Sequence, residues 1–289
     1  MRWLVTGAGG MLGRDLCAVL AEAGETDVVA AARTDLDVTD PAAVRAAVAG
    51  IDVVLNAAAW TDVDGAETAE EAATAVNGHA VRMLADAAGK RLIHFSTDYV
   101  FDGAATRPYP EDTTPAPVNA YGRGKAIGER AVLAAGGYVV RTAWLYGEHG
   151  PNFVRTVLRL AAERDTVDVV DDQYGPPTWS YALARQTVAL AGAATAGRAA
   201  PGAYHGTAAG STTWYGLARA AFAEAGLDPR RVRPTTSDRF PRPARRPAYS
   251  VLGHDGWSGT GVEPLADWRA MLTASMPVLL RAADRRPGS

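Results

Sequence analysis

The 289-residue sequence predicts an α/β protein built on a doubly wound parallel sheet, with a smaller second unit after it. Three observations predict this. Short apolar runs alternate with helix-like stretches through the first half, a glycine-rich turn follows the first run, and the rhythm loosens after about residue 145. Parallel strands covered by helices on both faces read as continuous apolar runs, not as alternating ones.

Taken in order, strands are expected at Trp3–Thr6, Val28–Ala31, Val53–Ala57, Arg91–Ser96 and Tyr138–Thr142. Helices are expected between them at Met11–Ala23, Pro41–Ala49, Glu67–Ala88 and Tyr121–Ala135. Ligands of such a sheet sit at the carboxyl ends of its strands. Beyond it come a helix over Asn152–Arg164, a strand at Val167–Val170 and a helix over Thr178–Ala191. The segment "DPRRVRPTTSDRFPRPARRPAYS" reads as neither helix nor strand. It is either a solvated loop or one that folds over an anionic ligand.

Hydrophobic residues make up 48% of the chain and charged residues 21%, an ordinary soluble composition. A net charge of −3 offers nucleic acid no general attraction, and no aromatic platform accompanies the arginines. No run reaches the roughly 18 apolar residues of a membrane span. The N-terminus enters a strand directly, without the pattern of a secretion signal. Cys17 is the single cysteine, expected as a buried, inert thiol in the first helix. Together these features point to the cytoplasm.

"VTGAGGMLGRDL" follows the first strand and opens the first helix, with Gly7, Gly10 and Gly13 spaced G-x-x-G-x-x-G. Glycines let the backbone turn tightly and approach a pyrophosphate at a helix N-terminus. Any tight strand-to-helix turn needs glycine, so the context carries the dinucleotide reading. The second strand runs into "AAARTD", where Arg33 suits a 2′-phosphate and favours NADPH, while Asp35 keeps NADH in play. An ordinary solvated arginine is the plainer reading of Arg33. Asp37 and Val38 of "LDVTD" fall beside the adenine.

"NAYGRGKAIGE" places Tyr121 four residues before Lys125, on one face of a helix. Alone, that spacing arises by chance. With the glycine turn it resembles the extended short-chain dehydrogenase/reductase superfamily. Within that superfamily, "NAAAWTDVDGAE" (Asn56–Glu67), "STDYVFDG" (Ser96–Gly103), "RTAWLYG" (Arg141–Gly147) and "DDQYGPPT" (Asp171–Thr178) resemble the dTDP-4-dehydrorhamnose reductase family. The resemblance runs from about residue 2 to 280.

It implies a Rossmann-type NAD(P)-binding domain over 1–150, a mainly substrate-binding domain over 151–280 whose chain crosses back to the first, and a frayed tail over 281–289. It implies an NADPH-dependent reductase of a dTDP-linked 4-keto-6-deoxyhexose, with dTDP-4-dehydro-L-rhamnose first among substrates. Tyr121 would be the acid that protonates the C4 carbonyl oxygen. Lys125 would lower the phenol's pKa, and Thr97 would orient the same oxygen. Cofactor contacts are expected at Gly7, Gly10, Met11, Leu12, Gly13, Arg33, Asp37, Val38, Asn56, Ala57, Ala58, Ala59, Tyr121 and Lys125. Substrate contacts are expected at Thr61, Asp98, Tyr99, Trp144 and Arg246, where Trp144 has a core aromatic as its alternative.

Trp60 departs from the family pattern, which expects a smaller ring there. Some relatives dimerise through Mg²⁺ held by carboxylates. The corresponding Asp15, Tyr181 and Arg269 include only one acid, so no metal is expected, and the chain is expected as a monomer or weak homodimer. Two other readings stay in view. One is a 4-ketoreductase for a modified deoxyhexose of secondary metabolism. The other is an NADP-binding regulatory subunit of the methionine adenosyltransferase type, against which the intact Thr97, Tyr121 and Lys125 argue. An epimerase or dehydratase of the superfamily would need more acid–base groups than Asp98 supplies.

Overall fold

Alternation along short strands decides the architecture. A computed structural model describes residues 1–284 of the protein. Its strands are β1 (Trp3–Thr6), β2 (Val28–Ala31), β3 (Val53–Asn56), β4 (Leu92–Thr97), β5 (Tyr138–Thr142), β6 (Leu145–Tyr146), β7 (Val167–Val170), β8 (Tyr174–Gly175), β9 (Thr178–Trp179), β10 (Gly202–His205), β11 (Thr212–Thr213) and β12 (Val232–Thr235). Six of them form one sheet in the order β10-β5-β4-β3-β1-β2, every pair parallel. Trp3, Val5, Leu55, Phe95 and Val140 face one helical layer, while Leu4, Val54, Leu92 and Val139 face the other.

The first layer contains α1 (Met11–Glu22), and the second contains α2 (Pro41–Val48). The stretch expected as one helix over Glu67–Ala88 is broken. It comprises α3 (Gly65–Thr68), α4 (Glu70–Thr74), a π-helical segment at Ala75–Ala80 and α5 (Val81–Ala88). Next comes α6 (Ala120–Ala134), which packs on that segment. After α7 (Phe153–Glu163), α8 (Ser180–Thr195) returns to pack beside α1, and β10 joins the sheet edge next to β5.

A separate apolar cluster gathers α7, β7, β12, α9 (Trp214–Glu224) and α10 (Trp268–Asp284). β12 corrects the sequence reading: Val232–Thr235 lies in the proline- and arginine-rich segment, yet pairs in parallel with β7. Proline removes one ladder donor, and a two-stranded ribbon with an open edge tolerates that loss. The tail also differs from expectation, since α10 continues to Asp284. Residues 285–289 lie outside the described residues. Cys17 is half-buried, and burial raises its thiol pKa.

The turn between β1 and α1 leaves no room for side chains. Gly7 adopts φ +66°, and a Cβ there would lie 2.6 Å from Ala58 N. A Cβ on Gly13 would lie 2.2 Å from Gly7 O, against backbone that cannot yield. Overpacking of this kind costs roughly 1–3 kcal/mol. Gly13→Ala is therefore expected to lower the urea midpoint by that order, and an unchanged midpoint would show that the turn relaxes freely.

Candidate active site

The central strand β4 delivers Thr97 at its carboxyl end. The Thr97 hydroxyl accepts from Tyr99 N–H at 3.1 Å and donates to Asp98 Oδ1 at 3.0 Å, which fixes the turn that follows. Helix α6 meets this turn head-on. Asn119 caps it by accepting from Gly122 N–H at 2.8 Å, and a Cβ on Gly122 would lie 2.1 Å from Tyr99 O. This close approach sets Tyr121 beside Thr97 and edge-on to Tyr99, ring centroids 6.0 Å apart.

Burial dominates the electrostatics here. The Tyr121 phenol is held above its ordinary pKa, first by desolvation and then by the nearby Asp98 carboxylate, while a Thr97 hydrogen bond pulls the other way. Lys125, 2% exposed, is pushed down to about 8 by burial. Its Nζ donates to Phe95 O at 2.5 Å and meets His94 Nε2 at 3.2 Å. In the free protein the Lys125 Nζ is turned to the strand, and the phenol's pKa is set first by desolvation. Asp98 is 3% exposed, and its Oδ2 has no partner. Burial raises its pKa to about 6, against the nearby Ser250 hydroxyl and the hydrogen bond from Thr97.

The expected cofactor residues converge on the β1–α1 turn. Gly10 caps α1 without a side-chain bond, and the first turn holds no acid, so its N–H groups stay available for an anion. Leu12 is buried in the core, which leaves only its backbone for such a contact. Asn56, Ala57 and Ala58 close against Gly7 from β3. At the end of β2, Asp35 Oδ2 accepts from Ala32 N–H at 2.9 Å, and Asp37 holds Thr39 through its N–H at 2.9 Å and hydroxyl at 2.6 Å. Those bonds, the side-chain one first, keep Asp37 below the usual carboxylate pKa. Arg33 is exposed and makes no ion pair among the described residues. A glycine cradle, bare helix N–H groups and an uncommitted guanidinium fit a phosphorylated dinucleotide.

The expected substrate residues divide. Tyr99 lies under the Arg246 guanidinium at 5.8 Å, and Arg246 Nη2 donates to Asp64 Oδ2 at 3.0 Å. Arg242 approaches the same carboxylate at 3.7 Å. Trp60 packs with Tyr121 on a small alanine cluster, and its backbone is gripped by the buried Asn77 amide. Thr61 beside it is exposed. Trp144 stands apart from this group with φ 50°, a left-handed conformation rare for a bulky residue. It stacks on Trp214 at 3.5 Å, and its ring occupies the space where Gly175 lacks a Cβ.

"DDQYGPPT" holds that stack. Asp171 accepts from the Thr213 hydroxyl at 2.5 Å and Asp172 from the Ser237 hydroxyl at 2.6 Å. Gln173 joins Ser237 to the Trp214 indole N–H. Sequence reasoning passed over Asp64, Asn77, His94 and Trp214. Their partners lie far along the chain, and only the "TTW" helix start before Trp214 left a local signal. The three positions compared with a Mg²⁺ site are each engaged otherwise: Asp15 with Ser180, Tyr181 with Glu22, and Arg269 with Glu224. Among the described residues no three His, Cys, Asp or Glu side chains converge as a metal site.

Known proteins resemble the chain over nearly its whole length. The family model described as "RmlD substrate binding domain" matches residues 1–280. A dTDP-4-dehydrorhamnose reductase of Streptomyces griseus is 54% identical, over 98% of this chain and 96% of its own. A dTDP-4-keto-6-deoxy-D-glucose reductase of Streptomyces niveus is 52% identical, over 96% and 97%. The crystal structure of dTDP-4-dehydrorhamnose reductase from Bacillus anthracis in complex with NADP superposes with TM-score 0.89 at 34% identity, covering 96% of this chain and 98% of that one. On sequence and fold together, the chain belongs to the dTDP-4-dehydrorhamnose reductase family.

Proposed function

We propose that the protein is an NADPH-dependent reductase of a dTDP-linked 4-keto-6-deoxy sugar, with dTDP-4-dehydro-L-rhamnose as substrate and dTDP-L-rhamnose as product. The observation that carries this is the grouping of buried Thr97 and Lys125 with half-buried Tyr121 at the end of β4, beside the glycine turn. Bound NADPH supplies the hydride that adds to C4 of the sugar. Thr97 holds the carbonyl oxygen by its hydroxyl, and Tyr121 gives that oxygen its proton, so the ketone becomes a secondary alcohol. A phenol held above its ordinary pKa is fully loaded with that proton at neutral pH. Releasing it requires positive charge nearby, which Lys125 provides when protonated.

On the substrate side, Arg242 and Arg246 together place two guanidinium groups on the single carboxylate of Asp64. The surplus positive charge suits the diphosphate of a nucleotide sugar. Asp98 and Tyr99 face the sugar hydroxyls, with Thr61 at the border, while Trp144 would meet the sugar only from its separate stack with Trp214. Reduction of a modified deoxyhexose is the second reading. Trp60, bulkier than the family pattern and packed with Tyr121, favours it by narrowing this side of the site. A monomer or weak homodimer acting in the cytoplasm completes the proposal. No helix among the described residues is long and apolar enough to cross a membrane.

NADPH oxidation with dTDP-4-dehydrorhamnose generated in situ tests the reading directly. Turnover that depends on the C3/C5-epimerised sugar supports rhamnose formation. Activity confined to deoxygenated 4-keto sugars supports the second reading, and NADPH binding without turnover on any of them supports a regulatory role. Tyr121→Phe is expected to lose roughly 10²–10⁴-fold in kcat while still binding NADPH; near-normal turnover would end the assignment of Tyr121 as the acid. Arg33→Ala is expected to raise the KM for NADPH roughly 10–100-fold, as for a lost charged hydrogen bond. An equal rise for NADH would remove the 2′-phosphate from the argument.

A further inference from the structure

His94 is wholly buried on β4, and the reaction above does not use it. Its ring nevertheless bridges the two sides of the site. Nδ1 lies 2.9 Å from Asn56 Nδ2, and Nε2 lies 3.2 Å from Lys125 Nζ. Beyond Asn56, its Oδ1 accepts from the Thr6 hydroxyl at 2.6 Å and from Ala58 N–H at 3.3 Å. Beyond Lys125 stands the carbonyl of Phe95. A continuous polar chain therefore crosses the sheet from β1 to α6.

In so dry a place every donor needs an acceptor, and this couples the proton positions along the chain. Burial first, and then the Lys125 charge, keep the His94 ring neutral, so one ring nitrogen carries hydrogen and the other does not. When Asn56 Nδ2 donates to Nδ1, the ring hydrogen sits on Nε2 and points at Lys125. Lys125 must then accept it as a neutral amine while donating to Phe95 O. When Lys125 is an ammonium, Nε2 must accept, and Nδ1–H donates to the Asn56 oxygen. The Asn56 amide is then turned over toward Thr6, and Ala58 N–H loses that acceptor.

We propose that His94 is a positioning residue whose tautomer is locked to the charge of Lys125, so that Asn56 and the backbone at Ala58 respond to that charge. The coupling itself follows from the hydrogen bonds; its importance for turnover rests on the reductase reading. Asn56 and Ala58 belong to the edge expected to meet the cofactor, so the charge beside the acid and the donors beside the cofactor change together.

Other groups face Lys125. Glu129, one turn along α6, raises the amine's pKa and is bound by Arg141 of β5 at 2.9 Å. Tyr121 lies one turn back, and Asp98 after β4 faces Tyr121. From the approach to the π-helical segment, Glu70 binds Arg123 of α6 at 2.7 Å and Glu67 accepts from Ala120 N–H at 2.7 Å, while Thr74 and Asn77 lie against Gly124. Among the described residues, His94 is the side chain that hydrogen-bonds with both Lys125 and Asn56.

The test is nitrogen NMR of ¹⁵N-histidine-labelled protein, with and without NADP, from neutral pH toward the roughly 10.4 of a free lysine. The resonances absent from His94→Gln identify the ring. The expected result is an exchange of the protonated nitrogen, Nδ1 at the lower pH and Nε2 at the higher, centred where Lys125 titrates and without imidazolium formation. A ring that keeps one tautomer throughout, or simply protonates, overturns the proposal. His94→Phe and His94→Gln are both expected to lose about 10-fold in kcat, less than the roughly 10²–10⁴-fold of the acid itself. Both should also shift the alkaline limb of kcat, with the KM for NADPH little changed. An unmoved limb in both variants overturns the catalytic part of the proposal. If no 4-keto sugar is reduced by the native protein, the reductase reading fails while the tautomer exchange still stands or falls by its own spectrum.

Discussion

Everything at this site depends on how closely α6 approaches the structure beneath it. The helix presses its first turn onto the carbonyl of Tyr99, and a later turn onto the carbonyl of Asn77. Side chains at Gly122 or Gly128 would lie within 2.1 and 2.4 Å of those oxygens. Only this approach brings a phenol from one element beside a hydroxyl from another, with the hydroxyl buried and the phenol half-buried. Burial then sets the electrostatics, because desolvation is the leading cause of the shifts at Asp98, Tyr121, Lys125 and His94.

Two kinds of buried charge lie near each other and serve different ends. Arg141 and Glu129 satisfy one another with several hydrogen bonds, and the arginine also reaches Glu111 O. Such a pair contributes geometry more than stability, since desolvation offsets most of its attraction. Lys125 and Asp98 lack a comparable partner. A buried group left short of partners is costly in the resting protein and therefore poised to respond to a ligand. The contrast separates what holds the pocket from what works inside it.

The first half of the fold was legible because each parallel strand carries its own apolar run and each helix its own period. The glycine turn and the Tyr121–Lys125 spacing were legible because each is a local pattern, whereas Thr97 entered only through the family resemblance. Other features escaped because their causes are not local. β12 contains a proline and earns its strand only from β7. The helix over Glu67–Ala88 was read as continuous because a π-helical turn keeps a helical composition. The surroundings of Lys125 were not legible because i, i+4 spacing says which face two side chains share, and says nothing about a carbonyl and an imidazole on the strand below. Asp64 looked like one acid in a motif until the chain folded two arginines onto it.

The π-helical segment at Ala75–Ala80 carries a consequence for how this lineage can vary. It holds one more residue per turn than its α-helical neighbours require, and within it Asn77 grips both backbone groups of Trp60. An α-helix turns by about 100° per residue. Deleting a single residue would let α4 and α5 fuse into one regular helix, and would swing Asn77 or its neighbours by that angle away from the Trp60 loop. Beyond Asn77 and the small residues that face α6, the segment constrains length more than composition. The segment acts as a count that has to be inherited intact.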